Sequence, residues 1–133
     1  MAVQSELLTE IRSEEDIVQV RSLVKRAAIN AGMSLVNQTK VVTAASELAR
    51  NTLEHGGGGT MKVEMLDKPR LGLRLRFEDT GPGIENMELA MRDGWTSKKG
   101  MGLGLSGSKR LMDEFDLTST PGKGTVVVVT KWT

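Results

Sequence analysis

Four short clusters carry residue types suited to chemistry. The first is Glu47-Leu48-Ala49-Arg50-Asn51. Four positions apart on a helix, Glu47 and Asn51 project from one face. A carboxylate there can take a proton from a nucleophile, and an amide oxygen can ligate a hard cation such as magnesium. The second is Asp79-Thr80-Gly81-Pro82-Gly83, directly after a strand-like run. Two glycines beside an aspartate let the backbone pass close to a flat ligand, and an aspartate accepts a hydrogen bond from an exocyclic amine such as that of adenine. The third is Gly100-Met101-Gly102-Leu103-Gly104-Leu105, preceded by Lys98 and Lys99. Glycines ahead of a helix start free backbone N–H groups to face an anion. The last, Gly124-Thr125, opens the final strand and says little alone. Each cluster also has a plain structural reading: a solvated polar face, a tight turn, a flexible loop. The glycine run fits neither of the familiar phosphate loops. Its sixth position is Leu105, not glycine, and no Gly-Lys-Ser/Thr follows.

These clusters need elements to hold them. Leu7 to Ile11 is a short apolar run that reads as a strand. Ser13 before Glu14, Glu15 and Asp16 reads as a helix start, with acids over the positive end of the dipole. Ile17, Val20, Val24, Ala27 and Ala31 recur at helical spacing, and Gly32 closes that helix. A second helix is expected from Val36 to His55, with Val41, Ala45, Leu48 and Thr52 on one face and Gly56 to Gly59 as its stop. Thr60 to Leu66 reads as a strand and Asp67 to Arg70 as a turn. Leu71, Leu73, Leu75 and Phe77 alternate with polar or small residues, the pattern of a half-buried strand. Glu85 to Arg92 reads as a short helix, and Leu105 to Phe115 as another. Asp116 to Thr120 is a short strand and Pro121 to Gly124 a turn. Val126 to Val129 is an unbroken β-branched run, expected to be a central strand buried on both faces. The order β-α-α-β-β-(loop)-α-β-β predicts an α+β, two-layer sandwich: a mixed, mostly antiparallel sheet with helices on one face.

The order of the clusters resembles a known pattern. Glu-x-x-x-Asn on a helix, Asp-x-Gly-x-Gly after a strand, Gly-x-Gly-x-Gly before a helix and Gly-Thr before a strand are similar to the four nucleotide-binding boxes of the GHKL superfamily. That superfamily holds gyrase B, the heat-shock chaperone ATPase, histidine-kinase catalytic domains and MutL. The resemblance spans roughly Glu47 to Val129. Ser46 to Asn51, Arg110 to Phe115 and the terminal Thr130-Lys131-Trp132 look like the RsbT-type branch of small regulatory serine/threonine kinases. The resemblance implies the Bergerat ATP-binding fold over a single domain, residues 1–133. It implies ATP and magnesium as ligands, and a cytoplasmic setting.

Carried over to these positions, the resemblance makes Glu47 the general base and Asn51 the magnesium ligand. Asp79 would read the adenine amine, with Gly81 and Gly83 allowing close approach. Gly100, Gly102, Leu103 and Gly104 would offer backbone amides to the phosphates, with Lys98 near them. Thr125 would support the adenine end. Trp95 to Lys98 falls where the family has its ATP lid. Many relatives carry a basic residue three positions after the box asparagine, whereas here that position is Glu54. The phosphate charge must then be met by Lys98, Lys99, Arg50 or Lys109. His55 lies one further turn along the stripe of Glu47 and Asn51, and a dipole contact at the helix end is its expected role. The family implies a STAS-domain protein as phosphoacceptor, with a PP2C-type phosphatase or a sigma factor as alternative partners. It also implies pairing of two copies to a homodimer.

Composition bounds these readings. The chain of 133 residues fits one domain with a core of its own. It holds no cysteine, which excludes disulfides, thiolate zinc sites and thiol catalysis. A net charge of +1 from 18 basic and 17 acidic residues, with 3% aromatics and no tyrosine, argues against nucleic acid as partner. No apolar run approaches a membrane span, and the N-terminus lacks the blocks of a signal peptide. Four rivals to a kinase remain at this level: a sequestering module, an ATP hydrolase using Glu47 on water, a purely structural α+β domain with flexible glycine loops, and the catalytic half of a histidine kinase. The last is disfavoured by a single histidine and no phosphoacceptor hairpin.

Overall fold

In the computed structural model the described residues are 3–84, 91 and 105–133. Within them the chain runs β1 (Val3–Ile11), α1 (Glu14–Asn30), α2 (Leu35–Glu54), β2 (Gly59–Leu66) and β3 (Gly72–Asp79). It continues with α3 (Leu105–Leu111), β4 (Glu114–Thr120) and β5 (Gly124–Trp132). The strands form one sheet in the order β1-β2-β3-β5-β4. Every one of these pairings is antiparallel. The expected order of elements holds. The expected short helix over Glu85 to Arg92, apart from Met91, and the glycine loop to Gly104 lie outside the described residues.

The helices begin where the sequence supplies caps. Ser13 Oγ accepts from Asp16 N–H at 3.3 Å, and Ser34 Oγ accepts from Asn37 N–H at 3.2 Å. Such caps each stabilise a helix by about 1 kcal/mol. α1 ends at Asn30, and Gly32 follows with φ of 80°. That left-handed conformation carries no steric cost for glycine. Ile17, Val20, Val24 and Ala28 of α1 and Val41, Ala45, Leu48 and Thr52 of α2 are buried. Those residues face Met61 and Val63 of β2, Leu73, Leu75 and Phe77 of β3, and Val127 and Val129 of β5. Layering of helices on one sheet face leaves the other face to ion pairs. Arg74 Nε lies 2.8 Å from Glu64 Oε1 across β2 and β3, and this guanidinium holds the Glu64 carboxyl below its usual range.

Three expectations are corrected. The valine run of β5 is central, yet it is buried on one face only: Val127 and Val129 are buried while Val126 and Val128 are half-exposed. Among the described residues no helix covers the second face, so alternation returns. The helix expected to reach Phe115 stops at Leu111. Asp113 N–H donates to Thr130 O at 2.9 Å, and Phe115 pairs with Val129 in the sheet. Lys131, itself buried, donates Nζ to Leu111 O at 3.0 Å and so closes the end of α3. Finally, β1 begins at Val3, four residues earlier than its apolar run, because its pairing to β2 continues past a bulge between Val3 and Ser5.

Candidate functional site

The last two turns of α2 deliver two of the expected residues. Glu47 is exposed, and Asn51 is 94% buried by its 6% relative exposure. Asn51 Oδ1 is a buried oxygen with no hydrogen-bond partner among the described residues. An unsatisfied buried amide oxygen costs about 1–3 kcal/mol. Its tolerance here fits an oxygen reserved for a cation, so the residues present suit magnesium.

Beyond Asn51 the chain makes a sharp exit. His55 N–H and Gly56 N–H both donate to Asn51 O, at 2.9 and 3.2 Å. Gly57 and Gly58 have φ of 76° and 107°, which glycine alone adopts freely. The chain then enters β2 at Gly59, opposite Asp79 at the end of β3. Asp79 thereby comes against the end of α2.

Asp79 is the buried carboxylate of the site. Its Oδ1 accepts from Gly81 N–H at 2.9 Å, closing a turn over Thr80. Burial pushes its pKa up, while the N–H groups of Gly81 and Thr125 and the nearby His55 ring pull it down. A buried acceptor with a raised pKa, held by only a few donors, is ready to meet a ligand N–H.

The glycines around Asp79 are steric necessities. A Cβ on Gly56 would lie 2.5 Å from Asp79 Oδ2, and one on Gly81 would lie 2.6 Å from Gly56 O. Gly83 has φ of 75°, and a Cβ there would lie 2.5 Å from Thr120 O. The backbone of Gly124 passes against that of Asp79 with equal tightness. So three segments, the α2 exit, the Asp79–Gly83 loop and the β4–β5 turn, meet with no room for a side chain.

Hydrogen bonds lock the same junction. His55 Nε2 lies 3.1 Å from Gly83 O, tying α2 to the loop. The expected dipole role of His55 is thus replaced by a link to a backbone carbonyl 28 residues on. Ser119 Oγ accepts from Ile84 N–H at 2.7 Å, donates to Gly124 O at 3.2 Å and lies 2.8 Å from Thr125 Oγ1. Thr125 is buried and pairs opposite Asp79.

The structure therefore brings together Asn51, Asp79, Gly81, Gly83 and Thr125, with Glu47 one turn back along α2. Lys98, Gly100, Gly102, Leu103 and Gly104 lie outside the described residues, as do Lys99 and Trp95. Arg50 is withdrawn from the candidates for phosphate. Its Nη1 lies 3.1 Å from Glu14 Oε1 and 3.4 Å from Glu54 Oε1, so two carboxylates already meet its charge. Sequence reasoning missed Gly56 and Ser119. Gly56 was read only as a helix stop within a run of glycines, where no local signal marks the one that faces Asp79. Ser119 sits in an ordinary strand, and only the fold shows that it faces Thr125.

Comparison with known proteins follows the same lines. The family model described as histidine kinase-, DNA gyrase B- and HSP90-like ATPase matches residues 36–132. The chain is 43% identical over 123 residues to the serine/threonine-protein kinase RsbT of Bacillus subtilis, covering 92% of each. It is 31% identical over 117 residues to the anti-sigma F factor of a Thermoanaerobacter species, covering 84% of this chain and 82% of that protein. Among solved structures, the RsbU and RsbW domains of Rv1364c from Mycobacterium tuberculosis superpose with a TM-score of 0.69 at 17% identity. That match covers 97% of this chain and 32% of the longer one, and it speaks for the fold alone.

Proposed function

This chain belongs to the histidine kinase-, DNA gyrase B- and HSP90-like ATPase family, and from that membership we propose that it is an ATP-dependent protein serine/threonine kinase. Its substrate is a STAS-domain partner, phosphorylated as a regulatory switch in a bacterial stress or sigma-factor pathway. The observation that carries the reading is Asn51, whose buried Oδ1 has no partner among the described residues and which lies one helical turn beyond the exposed Glu47. Supporting it is the 43% identity, over nearly the whole chain, to a serine/threonine kinase.

In this reading Asp79 accepts from the adenine amine, and the close packing of Gly56, Gly81 and Gly83 holds its carboxylate and loop in place. Thr125, held by Ser119, supports the same end. Gly100, Gly102, Leu103 and Gly104 offer amides to the phosphates and Lys98 offers charge. Asn51 holds magnesium, which when bound neutralises phosphate charge. Phosphoryl transfer depends mainly on positioning and charge neutralisation. Glu47, exposed where an incoming hydroxyl can reach it, accepts the proton from that serine or threonine.

The test is transfer of labelled γ-phosphate from Mg-ATP to a STAS-domain protein. Phosphoserine or phosphothreonine on the partner, lost in Glu47→Ala with ATP binding retained, is the expected result. Unchanged transfer in Glu47→Ala would remove Glu47 from the mechanism. A second reading draws on the anti-sigma F relatives, 31% identical: the domain holds ATP and sequesters a sigma factor. Capture of a sigma factor with no phosphate transferred to any STAS protein would favour it.

A further inference from the structure

Residues 17–46 contain Arg21, Lys25, Arg26 and Lys40 and not one aspartate or glutamate. The remaining chain then holds 14 basic against 17 acidic residues and is net negative. This near-neutral protein therefore carries a locally net-positive segment over most of α1 and the first half of α2, because acidic residues are missing there. Among the described residues, neither Arg21 nor Lys25 has an ion-pair partner.

Between the two helices, on that basic surface, lies a groove of about 170 Å³. Arg21 and Lys25 form its α1 wall, and Leu35, Thr39 and Val42 its α2 wall. Gln38 closes it, positioned by its Nε2 bond to Met33 O at 2.9 Å. Leu35 of the groove is 72% exposed, and on α1 Val18, one turn before Arg21, is 63% exposed. Thr39 is about 18 Å along the helix from Asn51 at 1.5 Å per residue, so this is a surface apart from the nucleotide site.

We propose that this groove docks an acidic amphipathic helix of a partner protein. The spacing fits a helix. Arg21 and Lys25 are four residues apart, the separation that meets two carboxylates placed i and i+4 on a facing helix. Leu35 and Val42 are seven apart, a span of about 10 Å that meets apolar side chains two turns apart. The charge excludes a basic partner, because a like-charged segment would be repelled along the whole face. A membrane surface is disfavoured because the apolar side chains rim a concavity between helices and do not form a convex ridge.

The test places a photo-crosslinking residue at Val18 of the full chain, in living cells, and maps adducts by mass spectrometry. The expected adduct joins Val18 to an acidic, amphipathic helical segment of another protein. Its yield falls at least about tenfold in the double variant Arg21→Glu/Lys25→Glu, as expected for a contact carried by charge. It persists in Asp79→Asn, which separates this surface from the nucleotide site. Circular dichroism and thermal melting check that the charge reversal folds. Thr39→Trp, which fills the groove without altering charge, gives the same loss by a second route. Adducts insensitive to both changes, adducts to a second copy of this chain, to phospholipid or to nucleic acid, or no adduct at all, would each overturn the proposal.

Discussion

Gly56→Ala is a sensitive probe of how the nucleotide site is built. Gly56 does not have a positive φ, so alanine suits its backbone and any effect is steric. The added methyl would sit 2.5 Å from Asp79 Oδ2 and 2.6 Å from Asp79 Cβ, whereas ordinary contact begins near 3.4 Å. Asp79 must then move by about 1 Å, but it is buried and tethered through Gly81 N–H. Overpacking of this kind costs about 1–3 kcal/mol of stability. Displacement of the carboxylate would forfeit the hydrogen bond proposed between Asp79 and the adenine amine, about 1.5–3 kcal/mol for a charged acceptor, or roughly 10- to 150-fold in ATP affinity. The assay is calorimetric titration with Mg-ATP beside a thermal melt. Gly57→Ala serves as control, since a Cβ there meets nothing but the backbone has φ of 76°. That variant loses stability by about 1–2 kcal/mol and keeps its ATP affinity. If Gly56→Ala bound ATP as tightly as the parent, the packing argument for Asp79 would be refuted.

Other expectations follow from the same geometry. Ser119→Ala strips Ile84 N–H of its partner and frees Thr125, and a melt should show a loss of about 1–3 kcal/mol together with weaker ATP binding. Arg50→Ala removes a largely exposed ion pair, so it should cost no more than about 1 kcal/mol and leave ATP affinity unchanged. The pH dependence has two parts of opposite sign. The native pKa of Glu64 is lowered by Arg74, so its contribution to stability is present above its unfolded value of 4.5 and is lost as pH falls through the native one. Asp79 has a native pKa raised by burial, so its contribution is present below 3.8 and is lost as pH rises through the native value. Acid melts of Glu64→Gln and Asp79→Asn should show the slopes shifting in opposite directions. In titrations, ATP affinity should begin to fall on acidification at a pH above that of an ordinary aspartate.

Much of this was legible because it is local. Ser13 and its acids announce α1, and the alternation of Leu73, Leu75 and Phe77 announces β3. The spacing of Glu47 and Asn51 needs only a helix to be meaningful. What escaped is what depends on distant chain segments. The role of Gly56 exists only because β3 returns Asp79 to the end of α2. His55 looked like a helix terminus because Gly83 is its neighbour in space alone. Phe115 satisfied a helical spacing with Leu111, but its pairing with Val129 in the sheet overrode that local pattern. The valines of β5 read as doubly buried because composition does not reveal how many layers cover a sheet.

The central claim is a magnesium-dependent ATP site built on Asp79 and Asn51, and titration of the protein with ATP tests it most directly. The account predicts saturable binding that needs magnesium, weakens in Asp79→Asn and loses its magnesium dependence in Asn51→Ala. Saturable binding indifferent to both substitutions, or no binding with or without magnesium, would contradict it.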